Sequence, residues 1–251
     1  MKKLLCGVYT VVWQGLRVCA ALLLCWWGGC VYWAIDESVR HDTPKVEHDP
    51  YMCGKISGVT YEFPREYGAF WPEYEGKSSW EAGFTKNKKG CEANFRSVTL
   101  TMSWPELLAD NNSRIFTQGL SYEGLQVSLE PIERPRPDLR PLLNYYLKDT
   151  PAASLHGVRF ISALGLNHLE GVDYMFKVSR KSYYWSDENG AVKYVGYCIW
   201  SEREQRYYSC KFSYVLSGNI FVEVQFTPEK LNVWADIVSA VDTLVKGSIK
   251  N

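Results

Sequence analysis

Residues Tyr183 to Phe226 read YYWSDENGAVKYVGYCIWSEREQRYYSCKFSYVLSGNIFVEVQF. Four runs rich in Val, Ile, Tyr and Phe are separated by short polar turns, the pattern of an antiparallel meander. Asn189-Gly190 marks the first turn and Ser217-Gly218-Asn219 the last. A central turn at Glu204 sets Cys198 opposite Cys210 and Trp200 opposite Tyr208. Side chains on a strand alternate between faces, so Cys198, Trp200, Tyr208, Cys210, Phe212 and Tyr214 share one face. Ile220, Val222, Val224 and Phe226 form the matching stripe on the next strand.

Downstream lies the clearest helix. Thr227 suits an N-cap and Pro228 the first helical position. Leu231, Trp234, Ile237, Val238, Val241, Leu244 and Val245 recur at three and four residues, a stripe that should lie on the sheet. Upstream, Cys53–Phe63 and Phe95–Trp104 alternate as strands, and Pro105 ends the second. Leu125–Ile132 alternates again, and Asp138 can cap a helix over Leu139–Leu147. Val158–Leu169 is apolar without a clear period. This order predicts an α+β fold: an antiparallel meander packed by a C-terminal helix, with two similar α+β halves at 53–150 and 151–251 as one arrangement.

The amino end reads as a transmembrane anchor over residues 1–40. Lys2 and Lys3 precede the apolar run Val18–Ile35; Arg17 stands before it, and Asp36 and Glu37 follow. Eighteen apolar residues are near the minimum for a spanning helix, and positive residues stay on the cytoplasmic side. The resulting expectation is a single-pass inner-membrane protein with its C-terminal domain in the periplasm. A lipoprotein attached through Cys30, after Gly28-Gly29, is the alternative. Residues 41–52 are polar, broken by proline and read as a linker.

The cysteines fit export. Cys6, Cys19, Cys25 and Cys30 lie in the apolar segment, and Cys53, Cys91, Cys198 and Cys210 beyond it. Four cysteines allow three pairings; facing positions favour Cys198–Cys210, which leaves Cys53–Cys91. An oxidising compartment permits both. Single, scattered cysteines lack the close spacing of a zinc site, so no metal and no cofactor are expected.

Catalytic motifs are missing. The chain has 4 His, at 41, 48, 156 and 168, and no phosphate-binding loop, nucleophile elbow or zinc-protease signature. Basic and acidic residues balance at 28 each, without the basic excess of a nucleic-acid binder. Two stretches suit binding. Tyr67, Phe70, Trp71, Tyr74 and Trp80 could line a ligand site, since aromatic rings suit sugars and lipids. Glu202, Arg203, Glu204 and Arg206, in the central turn, could contact a protein partner.

Three segments carry a family resemblance: EGKSSWEAGF (Glu75–Phe84), KKGCEANF (Lys88–Phe95) and the meander with Cys198 and Cys210. Over about Cys53–Lys250 the chain resembles the immunity proteins of type VI secretion systems that guard against effectors acting in the periplasm, lipases among them. The resemblance implies an anchored, non-enzymatic protein that binds a secreted bacterial effector and blocks its active site or its access to substrate. An envelope lipid- or glycan-binding module using the aromatic stretch is the alternative.

Overall fold

The computed structural model describes residues 49–78, 80–109, 124–132, 138–148, 157–172, 180–200, 208–217 and 219–250. In chain order the strands are β1 (Tyr51–Ile56), β2 (Val59–Pro64), β3 (Glu73–Tyr74), β4 (Phe95–Met102), β5 (Leu125–Pro131), β6 (Arg159–Ile161), β7 (Leu166–Val172), β8 (Arg180–Glu188), β9 (Ala191–Trp200), β10 (Ser209–Leu216) and β11 (Ile220–Phe226). The helices are α1 (Arg140–Leu147) and α2 (Trp234–Gly247). The meander forms as β8 to β11, with Cys198 paired to Cys210 across β9 and β10. Asn189 and Gly190 make the first turn with positive φ, 53° and 80°.

The α+β class with two similar halves is corrected. The chain is mainly β: nine strands form one antiparallel sheet in the order β3-β4-β5-β11-β10-β9-β8-β7-β6. Strand β5, from the supposed first half, pairs along β11, the last strand of the second. The physical reason is the open edge of β11. Two separate half-sheets would each expose unpaired N–H and C=O groups, and joining β5 to β11 removes two such edges. Among the described residues no helix is long and apolar enough to cross a membrane. The expected anchor at 18–35, Cys30 and most of the linker lie outside the described residues.

Alternation sends the side chains of the meander strands to two cores. On one face, Phe212 is ringed by Tyr184, Phe226 and Trp234, with centroids 6.2, 5.6 and 5.5 Å away. Ile237, Val238, Val241 and Val245 of α2 close this core, as the three-four spacing predicts. The preceding six residues, Pro228–Val233, are a 3-10 helix rather than the start of α2. On the other face α1 packs Leu143 against Tyr183, Trp185, Val192 and Val195. The cap expected at Asp138 is not formed, since Leu139 is the N-cap of α1; the Asp138 Oδ1 instead accepts from Arg140 N at 3.0 Å and from Val192 N of β9 at 2.8 Å.

Two expectations were too coarse. Cys53–Phe63 is not one strand but the β1–β2 hairpin. Ser57 and Gly58 turn it with φ of 51° and 86°, the double positive φ that a tight hairpin turn requires. The untyped stretch at 158–169 contains the β6–β7 hairpin. The β1–β2 hairpin places Met52, Ile56, Tyr61 and Phe63 in the same core as α2. After α2 the chain returns along β2: Glu62 N donates to Ser248 O at 2.8 Å and Lys250 N to Thr60 O at 2.9 Å.

Candidate functional site

The β1–β2 hairpin stands off the main sheet and is fastened at several points. Lys55 N donates to Ala93 O at 2.8 Å. The Lys250 ammonium reaches Glu62 at 2.7 Å. A disulfide joins Cys53 of β1 to Cys91. That bond ties the segment before β4 onto the hairpin and forms one wall of a hollow of about 570 Å³. Tyr51, Trp71, Tyr74, Phe84, Arg65 and Lys89 contribute to its lining. The volume falls in the range of small-ligand pockets, roughly 300–1,000 Å³.

The Tyr74 hydroxyl donates to Cys53 O at 2.9 Å, and its ring stacks on Phe95 at 5.1 Å. Burial pushes the Tyr74 phenol up. Arg65 donates from Nε to Asp49 O and from Nη2 to Tyr51 O; its guanidinium carbon lies 5.0 Å from the centre of the Trp71 ring. Lys89 Nζ stands 6.0 Å from the centre of the Phe84 ring. Cations over aromatic faces are attracted by the ring quadrupole. Asp49, the acid at this site, accepts from Tyr51 N at 3.0 Å.

The adjoining loop is internally braced. The Asn87 side chain accepts from Lys77 N at 3.1 Å and donates to Lys77 O at 2.7 Å. Lys77 Nζ donates to Ala82 O at 2.7 Å, and Ser78 N donates to Glu81 at 2.7 Å. Gly76 and Gly83 hold φ of 123° and 90°, values that suit glycine. The hydrogen bonds from Ser78 hold the Glu81 carboxyl below the usual range.

The five aromatic residues proposed from sequence divide. Trp71 and Tyr74 meet in the hollow. Tyr67 is structural: its hydroxyl donates to Leu107 O at 2.9 Å. Phe70 is 60% exposed and Trp80 95% exposed on the braced loop, and neither lines the hollow. Glu202, Arg203, Glu204 and Arg206 lie outside the described residues. So do His41, His48 and His156. His168 lies with its ring 5.0 Å from that of Tyr184, and burial pushes its pKa down. Arg65, Lys89, Tyr51 and Phe84 were missed. Phe84 and Lys89 do fall within the stretches that carry the family resemblance, but nothing in residue spacing brings Arg65 to them.

A second hollow, about 750 Å³, lies between the β1–β2 turn and the ends of β5 and β11. Two of its four charged side chains, Lys55 and Glu75, are engaged with near neighbours. Lys55 pairs with Glu92 at 2.8 Å, and Asn94 donates to Glu75 at 2.8 Å. Burial, then the charge of Glu223, pushes the Glu130 carboxyl up. The only sulfur-containing cluster with metal-ligand proximity among the described residues is Cys53, Glu62 and Cys91. Both its cysteines are bonded to each other, so it has no thiolate to offer.

No family model matches the chain, and no curated protein matches it. Two solved structures do. One is an immunity protein of the Stenotrophomonas maltophilia type IV secretion system: TM-score 0.52, 12% identity, covering 82% of this chain and 97% of that one. The other is the Neisseria meningitidis iron-regulated outer membrane lipoprotein FrpD: TM-score 0.44, 10% identity, covering 82% and 94%. At this identity the likeness to the immunity protein is one of fold.

Proposed function

We propose that the chain is an immunity protein that binds a secreted toxic effector in the periplasm and neutralises it by occupancy rather than turnover. The observation that carries the reading is the fold shared with the Stenotrophomonas immunity protein along nearly all of that chain's length. Two disulfides fit an oxidising compartment, and the periplasm is the oxidising space in which such a toxin would act. The neighbour's name points to a type IV source; type VI delivery is the finer reading, and it rests on Glu75–Phe84, Lys88–Phe95 and the meander with Cys198 and Cys210. The aromatic hollow favours the second reading, an envelope lipid- or glycan-binding module.

Survival separates the two. Cells that send the toxic product of the adjacent gene to their own periplasm should grow when they also make this chain, and arrest without it. Equal arrest in both overturns the immunity reading.

A further inference from the structure

We infer that the hollow between β1, Trp71 and the Phe84–Gly90 segment seats an acidic side chain of the effector, together with the apolar residue beside it. This deepens the immunity reading and rests on it. The first observation is an unmet charge. Arg65 spends its described hydrogen bonds on two backbone carbonyls, and no ion pair of Arg65 or Lys89 exists among the described residues. Two cations thus border an apolar cavity with no ion pair to a carboxylate among the described residues, and Asp49, the one acid in the lining, accepts from Tyr51 N instead.

The second observation is shape and rigidity. The walls are Trp71, Tyr74 and Phe84, and the disulfide holds the Phe84–Gly90 side to β1. Little ordering is then needed when a ligand enters, which favours affinity. Trp71, 65% exposed, belongs to the residue types that dominate protein interfaces. The third observation argues against an anionic bilayer as the occupant. Residues 65–92 carry five basic and five acidic residues, so the surface around the hollow has no net positive field, while two local cations still suit a single carboxylate. A charge-assisted hydrogen bond from Lys89 is stronger than a neutral one.

The test uses the full chain, made in cells with the effector and purified from the envelope with disulfides intact. Co-purifying effector is measured for wild type, Lys89→Gln, Lys89→Glu, Trp71→Ala and, at the far edge of the sheet, Phe160→Ala. Lys89→Glu and Trp71→Ala should retain roughly tenfold less effector or worse, as loss of a central anchor does. Lys89→Gln should fall between wild type and Lys89→Glu, and Phe160→Ala should match wild type. A thermal melt shows whether each variant is folded; the grading between Gln and Glu at an exposed site reports charge rather than folding. Full retention by Lys89→Glu and Trp71→Ala overturns this inference and leaves the immunity reading standing. No effector on the wild type overturns both. Wild type sedimenting with phosphatidylethanolamine–phosphatidylglycerol vesicles while Trp71→Ala does not, with effector retention unchanged, assigns the hollow to the membrane and overturns the inference.

Discussion

A methyl group added to Gly196 would sit 2.7 Å from the ring of Phe212 and 2.8 Å from Lys211 O. Neither can yield easily, since Phe212 is fully buried among three other rings and Lys211 O belongs to the paired strand. Gly196→Ala should therefore destabilise by about 1–3 kcal/mol, the usual cost of overpacking, visible as a lower urea midpoint. An unchanged midpoint would mean that Phe212 has room to move. Asp242 of α2 supplies a pH-dependent prediction. Its carboxyl faces the Tyr214 hydroxyl at the helix–sheet seam, without an aligned hydrogen bond. Burial raises the pKa of both groups. An acid whose folded pKa is raised binds its proton more tightly when folded. Stability is then lost as pH rises from the unfolded value, about 3.9, through the folded one, and the penalty is complete above that. Asp242→Asn should raise the melting temperature at pH 7 and show a smaller gain near pH 3. Asp138 has the opposite sign. Backbone N–H groups of Val192 and Arg140 hold its carboxyl below the usual range, so its contribution is present above about pH 3.9 and is lost as pH falls further through the folded value. The gap in melting temperature between wild type and Asp138→Ala should be constant at neutral pH and narrow on acidification.

The elements rest on two staples of different span. Cys198 and Cys210 are 12 residues apart, Cys53 and Cys91 38 apart. Loop-closure entropy gives about 3 kcal/mol for the first and about 4 kcal/mol for the second. Paired Cys→Ser variants should follow that order in urea unfolding; the reverse order would show that the reduced hairpins keep structure when unfolded. The first staple could be read from sequence because Cys198 and Cys210 are equally far in sequence from Glu204, the spacing expected of two facing strand positions. The α2 stripe was legible for a similar reason: a long periodic pattern repeats its evidence at Ile237, Val238, Val241 and Val245. The β1–β2 turn was not, because Ser57 is an uncommon residue at positive φ and the two short strands blend into one alternating run. The hollow was half legible. Trp71 and Tyr74 stand out as aromatics, but Lys89 reaches them beside the Cys53–Cys91 bond and Arg65 is held there by Asp49 O and Tyr51 O across the β1–β2 hairpin, long-range contacts that local spacing cannot express.

At the scale of the molecule, β5 is the element that makes one sheet from what reads as two halves. It hydrogen-bonds to β4 on one side and β11 on the other, so the sequence-distant strands β4 and β11 flank the same seven residues. Val127, wholly buried between Leu100 and Val224, sits at the middle of that seam. Val127→Asp should unfold both flanks together, because an unpaired buried carboxylate costs more than a domain of this size can spare. Two separate melting transitions, with the β8–β11 meander surviving, would restore the picture of independent halves. The most direct test of the functional account is a titration in solution: the purified effector's own toxic activity, measured against increasing full-length chain with both disulfides formed. The account requires activity to fall linearly and vanish near one equivalent. Activity that is undiminished at a large molar excess of folded chain would contradict it.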